Sequence, residues 1–328
     1  MPLRRLQLQH YPVALLLGAA GTVLALVLFG QIPGRGRWVS ELGNSAHGPA
    51  FAIVTLVLIA LLRRVPGRNA SILRDYSLAI AGALLLGALI ELMQLATGRD
   101  ASFSDLRRDT LGALAATGFF TLIDPRVRAL SSRRPTRLIG LLVGVASTAI
   151  IVVPLVITGA AYLQRHRSFP TVVDFSSPLS TYFLGVYSAV TVEREALPNT
   201  LPRGRQGSIG LHARLAGNKG WGLALWEPYP DWRGYQRLAF DFANPTNLPL
   251  LLQVRVRDRS QGNDRQLGYL GRIEIAPRSR ATHVIALREF TAAEGRAYVN
   301  PAIVRSIVLS RNPSNRAREF YLMRIWLE

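Results

Sequence analysis

Hydrophobic and polar positions follow two different rules in the two halves of this 328-residue chain. Up to about Arg167 the apolar residues come in long runs, over 11–29, 47–62, 77–96, 110–123 and 138–162, separated by short arginine-rich connections. A hydrocarbon core about 30 Å thick takes roughly 20 helical residues, with about 17 as the lower limit. The runs therefore predict a membrane all-α bundle of about five transmembrane helices, placed at 11–30, 47–63, 76–96, 104–123 and 138–162. The second and fourth runs are short. The fourth reaches spanning length when its helix begins near Ser104, with Ser102 or Ser104 as cap, and this draws Asp105 and Asp109 into the helix. Arg4 and Arg5 precede the first run as in a secretory signal. Its apolar part is too long for one, and no small-x-small cleavage pattern follows cleanly before Gln31, so it reads as an uncleaved helix.

From Thr171 onward the apolar positions alternate with period two, and 207–215, 235–242, 250–256, 283–287, 303–309 and 319–327 read as strands. Turn signals lie between them at Asn244-Pro245, Gln261-Gly262-Asn263-Asp264, Pro277 and Asn312-Pro313. Short strands with no helical period between them predict an all-β jelly-roll sandwich. The expected division is a transmembrane domain over 1–167 and a β-sandwich over 168–328.

A net charge of +19 suggests nucleic acid at first sight. The distribution excludes it, because the cations up to Arg167 sit mainly between apolar runs and the later ones are scattered among acidic residues. Nearly all are Arg, with Lys219 the exception. Their placement carries topological information. Arg4, Arg5, Arg63, Arg64, Arg68, Arg74, Arg126, Arg128, Arg133, Arg134 and Arg137 fall on one side, eleven in all, against seven on the other: Arg35, Arg37, Arg99, Arg107, Arg108, Arg165 and Arg167. The excess puts the N-terminus in the cytoplasm and, with an odd number of helices, the β domain outside. The absence of cysteine excludes disulfides, thiol catalysis and Cys-ligated metals. No cofactor or metal is expected.

The candidate chemistry lies at the outer ends of the helices. His47 is expected to open helix two, Glu91 and Gln94 to end helix three, Arg99 and Asp105 to follow in the connection, and Asp109 to start helix four. Ala79, Ala83, Gly87, Glu91 and Gln94 recur at helical spacing and share one face. So do Asp105, Asp109, Gly112 and Ala116, and small residues on both faces permit close packing. A carboxylate in hydrocarbon costs about 2.5–3.5 kcal/mol, so Glu91 should be paired, protonated or beside a hydrated cavity, with Arg99 the nearest partner. Two readings stand side by side: a polar clamp between helices three and four, or an outward-facing site in which Glu91 or His47 moves a proton and Arg99 grips an anion.

The pattern His47-x-x-x-Phe51, then Glu91-Leu92-Met93-Gln94, then Arg99 with Asp105 and Gly112 beyond, resembles the VanZ-like membrane family over roughly residues 38–123. An Asp-Lys pair often seen before the histidine is here Asn44-Ser45, and the Asn expected before the last glycine motif is Asp109. The resemblance implies a multi-helix membrane protein related to a founding member linked to resistance to the glycopeptide teicoplanin. It carries across His47, Glu91, Gln94, Arg99 and Asp105 as motif positions, with no catalytic assignment.

The run from Trp232 to Pro245, with 303–309 and 319–327 as closing strands, resembles the galactose-binding-like jelly roll of several carbohydrate-binding modules. Trp226, Tyr229 and Trp232, in a loop with two prolines, are the candidate sugar platform; His212 and His283 read as ordinary strand residues. The expected function is a non-enzymatic envelope protein whose partners are membrane lipids and a cell-wall glycan or envelope protein. Its rivals are an intramembrane enzyme acting on a lipid-linked headgroup, with His47, Glu91, Arg99 and Asp105 as the chemical groups, and a plain anchor for a surface module.

Overall fold

The computed structural model describes residues 12–29, 33–34, 36–65, 71–96, 102–129, 134–188, 190–202, 209–215, 221–262, 267–290, 299–311 and 316–328. The chain divides into two compact units, Met1–Gly159 and Ala160–Glu328. The first is helical: α1 (Val13–Phe29), α2 (Arg37–Leu62), α3 (Ile72–Ala96), α4 (Phe103–Ile123), the short α5 (Pro125–Ala129) and α6 (Arg134–Ser168), whose last turns belong to the second unit. Among the described residues three helical segments are long and apolar enough to cross a membrane, Arg37–Leu62, Ile72–Leu95 and Arg134–Ser168. Helix α1 is apolar over its 17 residues, and α4 carries Asp105, Arg107, Arg108 and Asp109 in its first two turns.

Helix α2 begins at Arg37, well before the expected start at His47. The reason is compositional. Its first turns, Arg37-Trp38-Val39-Ser40-Glu41-Leu42, mix charged and apolar residues, so they are helical without being a hydrophobic run. His47 is therefore an interior residue, nearly three turns in. Helix α4 starts one residue after Ser102, which holds the N-cap position with extended backbone but accepts no capping hydrogen bond at its side chain.

Glycines set the helix spacing. A Cβ on Gly112 of α4 would lie 2.2 Å from the carbonyl oxygen of Gly48 on α2, and one on Gly118 would lie 2.5 Å from that of Gly140 on α6. Helix α4 is thus gripped at backbone contact between α2 and α6, the packing that small residues allow in membranes. On α3 the small face is buried as its spacing predicts, Ala79 at 0% and Ala83 at 1% exposure. A Cβ on Gly87 would meet Asp109, Leu106 and Phe51.

The second unit is an antiparallel β-sandwich. One sheet runs β3 (Val190–Ala196), β4 (Ile209–Leu215), β11 (Glu319–Leu327), β6 (Arg237–Asn244), β9 (Ser279–Ala286), with β1 (Thr171–Asp174) also paired to β11. The other runs β2 (Leu184–Ser188), β5 (Trp221–Trp226), β10 (Val304–Arg311), β7 (Leu250–Asp258), β8 (Tyr269–Ile275). Successive strands repeatedly change sheet, as in a jelly roll. Phe240, Phe242 and Phe320 from the first sheet and Leu223, Leu250, Leu252 and Val254 from the second form the core between them. The predicted Asn244-Pro245 turn is held by its asparagine, whose amide donates to Leu248 O at 2.8 Å and accepts from Thr246 N at 3.0 Å.

The last turns of α6 belong to this unit. Ala161 is in its core, the Tyr162 ring stands edge-on to Phe183 at 5.1 Å, and Gln164 donates to Ser177 Oγ at 2.6 Å. The fold therefore divides before the expected boundary at Arg167.

Gly112→Ala should force α2 and α4 apart and cost about 1–3 kcal/mol, as overpacking does. Gly82→Ala, whose Cβ would meet only the end of Leu58 at 3.3 Å, should be neutral or stabilising. Thermal unfolding of the full-length protein in detergent, followed by circular dichroism, measures both.

Candidate functional site

Two clusters of ionisable side chains form in the helical unit. The first is built where Gly48 and Gly112 let α2 and α4 touch. His47 precedes Gly48 and Asp109 lies one turn before Gly112, so the close crossing brings His47 Nδ1 to 2.9 Å from Asp109 Oδ1. Asp109 is 1% exposed, and its Oδ2 has no hydrogen-bond partner among the described residues. Helix α3 adds Glu91, whose Oε2 accepts from Ser102 N–H at 2.6 Å while Oε1 is likewise unpartnered among the described residues. Glu91 is only 8% exposed. Gln94, one turn on, is buried beside it in sequence and on the same face. Asp105 turns to its own helix, accepting from Arg108 at 2.9 Å, and Arg108 also donates to Ser104 Oγ. Of the sequence-selected residues, the structure gathers His47, Glu91, Asp105 and Asp109 by way of three helices; Arg99 lies outside the described residues.

The second cluster, at the other end of the same helices, was not anticipated as a cluster. Asp124 is fully buried and accepts from Arg63 at 2.5 Å, from Tyr76 Oη at 2.8 Å and from Arg126 N–H at 3.0 Å. Arg126 also reaches Asp75 at 2.7 Å, and Arg63 lies over the Phe120 ring. Two arginines thus meet two aspartates. Cation counting treated Arg63 and Arg126 only as markers of sidedness, but an Asp at each connection, Asp75 and Asp124, was the available signal of a paired network. The two clusters differ in balance: this one has matched charge, whereas the first, among the described residues, holds three carboxylates against His47 and Arg108.

Between the clusters a cavity of about 550 Å³ opens among α2, α4 and α6, lined almost wholly by apolar side chains from Gly48 to Leu56, Gly112 to Ile123 and Thr148 to Val152.

In the β-sandwich the candidate aromatic loop resolves into three fates. Trp232 is 0% exposed, its indole N–H donates to Tyr229 O at 2.6 Å, and it packs near Phe290. It is a core residue and offers no platform, because the chain turns inward after Pro230. Tyr229 packs on Phe169 at 4.3 Å and near His166, clasping the end of α6. Trp226 ends β5 on the outer face of its sheet, half-buried over Gly185, with Tyr187 edge-on at 6.5 Å. Tyr187 is 45% exposed and was missed, because β2 is a short strand with no alternation to mark it.

His212 departs from an ordinary strand residue. It stacks on Tyr321 at 4.1 Å, and its two ring nitrogens meet Glu195 and Glu319, each at 2.9 Å. Both nitrogens are therefore engaged within the sheet. No group of His, Asp and Glu that could hold a metal occurs among the described residues.

No family model matches this chain, and no curated protein matches it. The resemblance of residues 38–123 to the VanZ-like family rests on their own pattern. Among solved structures the chain is similar to a family 11 carbohydrate-binding module from Clostridium thermocellum, solved in complex with a β-1,3-1,4-mixed-linked tetrasaccharide, at 16% identity, covering 48% of this chain and 93% of that one, with a TM-score of 0.36. It is also similar to an exo-β-agarase at 14% identity, covering 48% of this chain and 24% of that one, with a TM-score of 0.37. The sandwich assignment stands on strand order, and the site chemistry on the residues themselves.

The hydrogen bond with His212, then those with Glu193 and Arg214, hold the Glu195 carboxyl down to about 2 from its ordinary 4.5. Its contribution is complete above pH 4.5 and is lost as the pH falls toward 2. Tryptophan fluorescence, with Trp221, Trp226, Trp232 and Trp326 in this unit, should show a urea midpoint that falls over that window and falls less in Glu195→Gln. Asp124→Ala should destabilise the bundle by about 1–3 kcal/mol in the same urea titration followed by circular dichroism, because it leaves the half-buried Arg63 and the Tyr76 hydroxyl without their shared acceptor while Arg126 keeps Asp75.

Proposed function

We propose that this chain is an integral membrane protein of the VanZ-like type, whose helical unit holds the polar headgroup of an envelope amphiphile at His47, Glu91 and Asp109. The observation that carries this reading is a pair of buried carboxylates, Glu91 and Asp109, each with one oxygen unpartnered among the described residues. A buried acceptor without a donor costs about 1–3 kcal/mol, and more when charged, so such oxygens point to a ligand that supplies the donor.

Depth supports the same reading. From His47 to Arg63 the helix rises about 24 Å, less than the roughly 30 Å of hydrocarbon. A bilayer with one face at the Arg63–Asp124 network would then place the His47–Asp109 pair about 6 Å inside its other hydrocarbon boundary, within reach of headgroups. Five spans, a cytoplasmic N-terminus and an external β-sandwich complete the proposed arrangement, supported by the cation excess. On the sandwich, Tyr187 and Trp226 offer stacking surface for a cell-wall glycan. Trp226 lies over Gly185, where an added Cβ would come within 2.7 Å of its indole nitrogen.

Full-length protein extracted from its own membranes should carry a defined amphiphile, visible by mass spectrometry of the bound lipids. Glu91→Gln keeps the acceptor for Ser102 N–H but removes the charge, and should lower that occupancy about tenfold. An identical lipid complement in wild type and Glu91→Gln would contradict the headgroup site. Trp226→Ala should abolish retention of the full-length protein on wall polysaccharide; unchanged retention, or none in wild type, removes the glycan role.

A second reading has one specific observation behind it. The 2.9 Å contact of His47 with Asp109 orients an imidazole as a general base is oriented. An enzyme acting on a lipid-linked headgroup would make His47→Gln strains accumulate an unprocessed lipid. An unaltered lipid profile leaves the binding role.

A further inference from the structure

The five-stranded sheet of the β-sandwich turns one face to the core and the other away from it, and the outward face is patterned from edge to edge. Strand register fixes the rows. Gly185, Ala224, Val308, Arg255 and Leu270 lie side by side across β2, β5, β10, β7 and β8. The next row is Tyr187, Gly222, Ser310, Gln253 and Arg272. Alternation along each strand sets both rows opposite the core face, because Leu223, Leu309, Val254 and Ile273, each one residue away, are core residues.

Side-chain size and charge change across these rows. At the β2 edge the Tyr187 ring lies over Gly222 and the Trp226 indole over Gly185, the two rings edge-on at 6.5 Å. The middle strands contribute Gly222, Ala224, Val308 and Ser310, so the floor stays low. At the far edge stand Arg255 and the exposed Arg272, diagonal neighbours on β7 and β8. Arg257, on the same face, is committed to Gly262 O at 3.2 Å. Among the described residues Glu274 is the one exposed carboxylate on the strands of this sheet, one row past Arg272. Two arginines against one glutamate leave this edge positive.

Strands about 4.8 Å apart put the β2 and β8 edges roughly 19 Å from each other. A chain of several sugars spans that width; a single one does not. The rings offer flat apolar surface on which the C–H face of a pyranose stacks. The guanidinium groups offer planar forks that fit a carboxylate with two hydrogen bonds.

Resting on the glycan reading above, we infer that this face takes a uronic-acid polysaccharide laid across the strands, with sugars stacked on Tyr187 and Trp226 at one edge and carboxylates held by Arg255 and Arg272 at the other. The aromatic edge selects sugar rings, and the arginine edge selects their charge.

The test measures binding of the full-length protein in detergent, at about 0.15 M salt to screen long-range attraction, to immobilised polygalacturonate, its carboxyl-reduced neutral form and poly(glycerol phosphate). Polygalacturonate should bind about tenfold more tightly than either of the others. Arg255→Gln combined with Arg272→Gln should bring it down to the level of the neutral form. Arg214→Gln, which removes an exposed cation from the other sheet, should change nothing. Trp226→Ala should weaken binding to the charged and the neutral sugar polymer alike; Tyr187→Ala serves where Trp226→Ala fails to fold. Equal affinity for polygalacturonate and its reduced form, or an equal loss in Arg214→Gln, would overturn the uronate assignment and leave the glycan role standing. Tighter binding of poly(glycerol phosphate) would overturn it in favour of a phosphate polymer. The glycan reading itself falls if no sugar polymer is bound, or if binding ignores the loss of both rings.

Discussion

A bilayer interior cannot solvate charge, and for a unit with three helices long and apolar enough to cross one, the proposed membrane placement makes this the organising constraint. Each ionised side chain left in hydrocarbon costs about 2.5–3.5 kcal/mol. The chain places Asp75, Asp109 and Asp124 among its most buried residues nonetheless. It does so by drawing them to the two ends of one three-helix core of α2, α3 and α4. At one end arginine and aspartate are matched, with Tyr76 completing the shell around Asp124. The other end, among the described residues, has acceptors in excess, and that excess is what supports the proposed headgroup site over a structural clamp. Pairing buried charges is costly in its own right, so the matched network argues for specificity of helix register more than for stability.

Close backbone contact makes this clustering possible. Side chains as short as Asp and His meet only when the axes are near, and Gly48 against Gly112 brings them near. The same small residues leave space on the adjoining face, where α6 closes over α2 through Ile151 and Gly48. One device thus creates both a polar contact and an apolar cavity. In the β-sandwich the burial of Phe and Leu between sheets does the structural work, and polar side chains such as Asn244 fix the turns.

Much of this was legible in the sequence, because hydrophobic period reports environment. Runs of apolar residues gave the helices, alternation gave β4, β6, β7, β10 and β11, and helical spacing put Ala79, Ala83, Gly87, Glu91 and Gln94 on one face. The failures have physical causes. The start of α2 was hidden because Arg37 to Ala46 is helical without being continuously apolar. Strand β5 (Trp-Gly-Leu-Ala-Leu-Trp) carries no polar alternation, and β9 was legible only over its second half, at 283–287, because it is an edge strand whose exposed residues blur the pattern. The Arg63–Asp124 network and the His212 contacts join residues far apart in sequence, 61 positions for Arg63 and 107 for His212 with Glu319, and no local period records such partners. Composition could name Trp226, Tyr229 and Trp232 as aromatic, but only packing separates a core ring from an exposed one.

The account depends on the two polar ends of the bundle lying at opposite membrane faces. The chain has no cysteine of its own, so single thiols can be placed at will. Phe103, 84% exposed at the start of α4, and Val65, 51% exposed just past α2, mark the two ends. A membrane-impermeant maleimide added to intact cells should label Phe103→Cys at once and Val65→Cys only after permeabilisation. Labelling of both from the same side would contradict it.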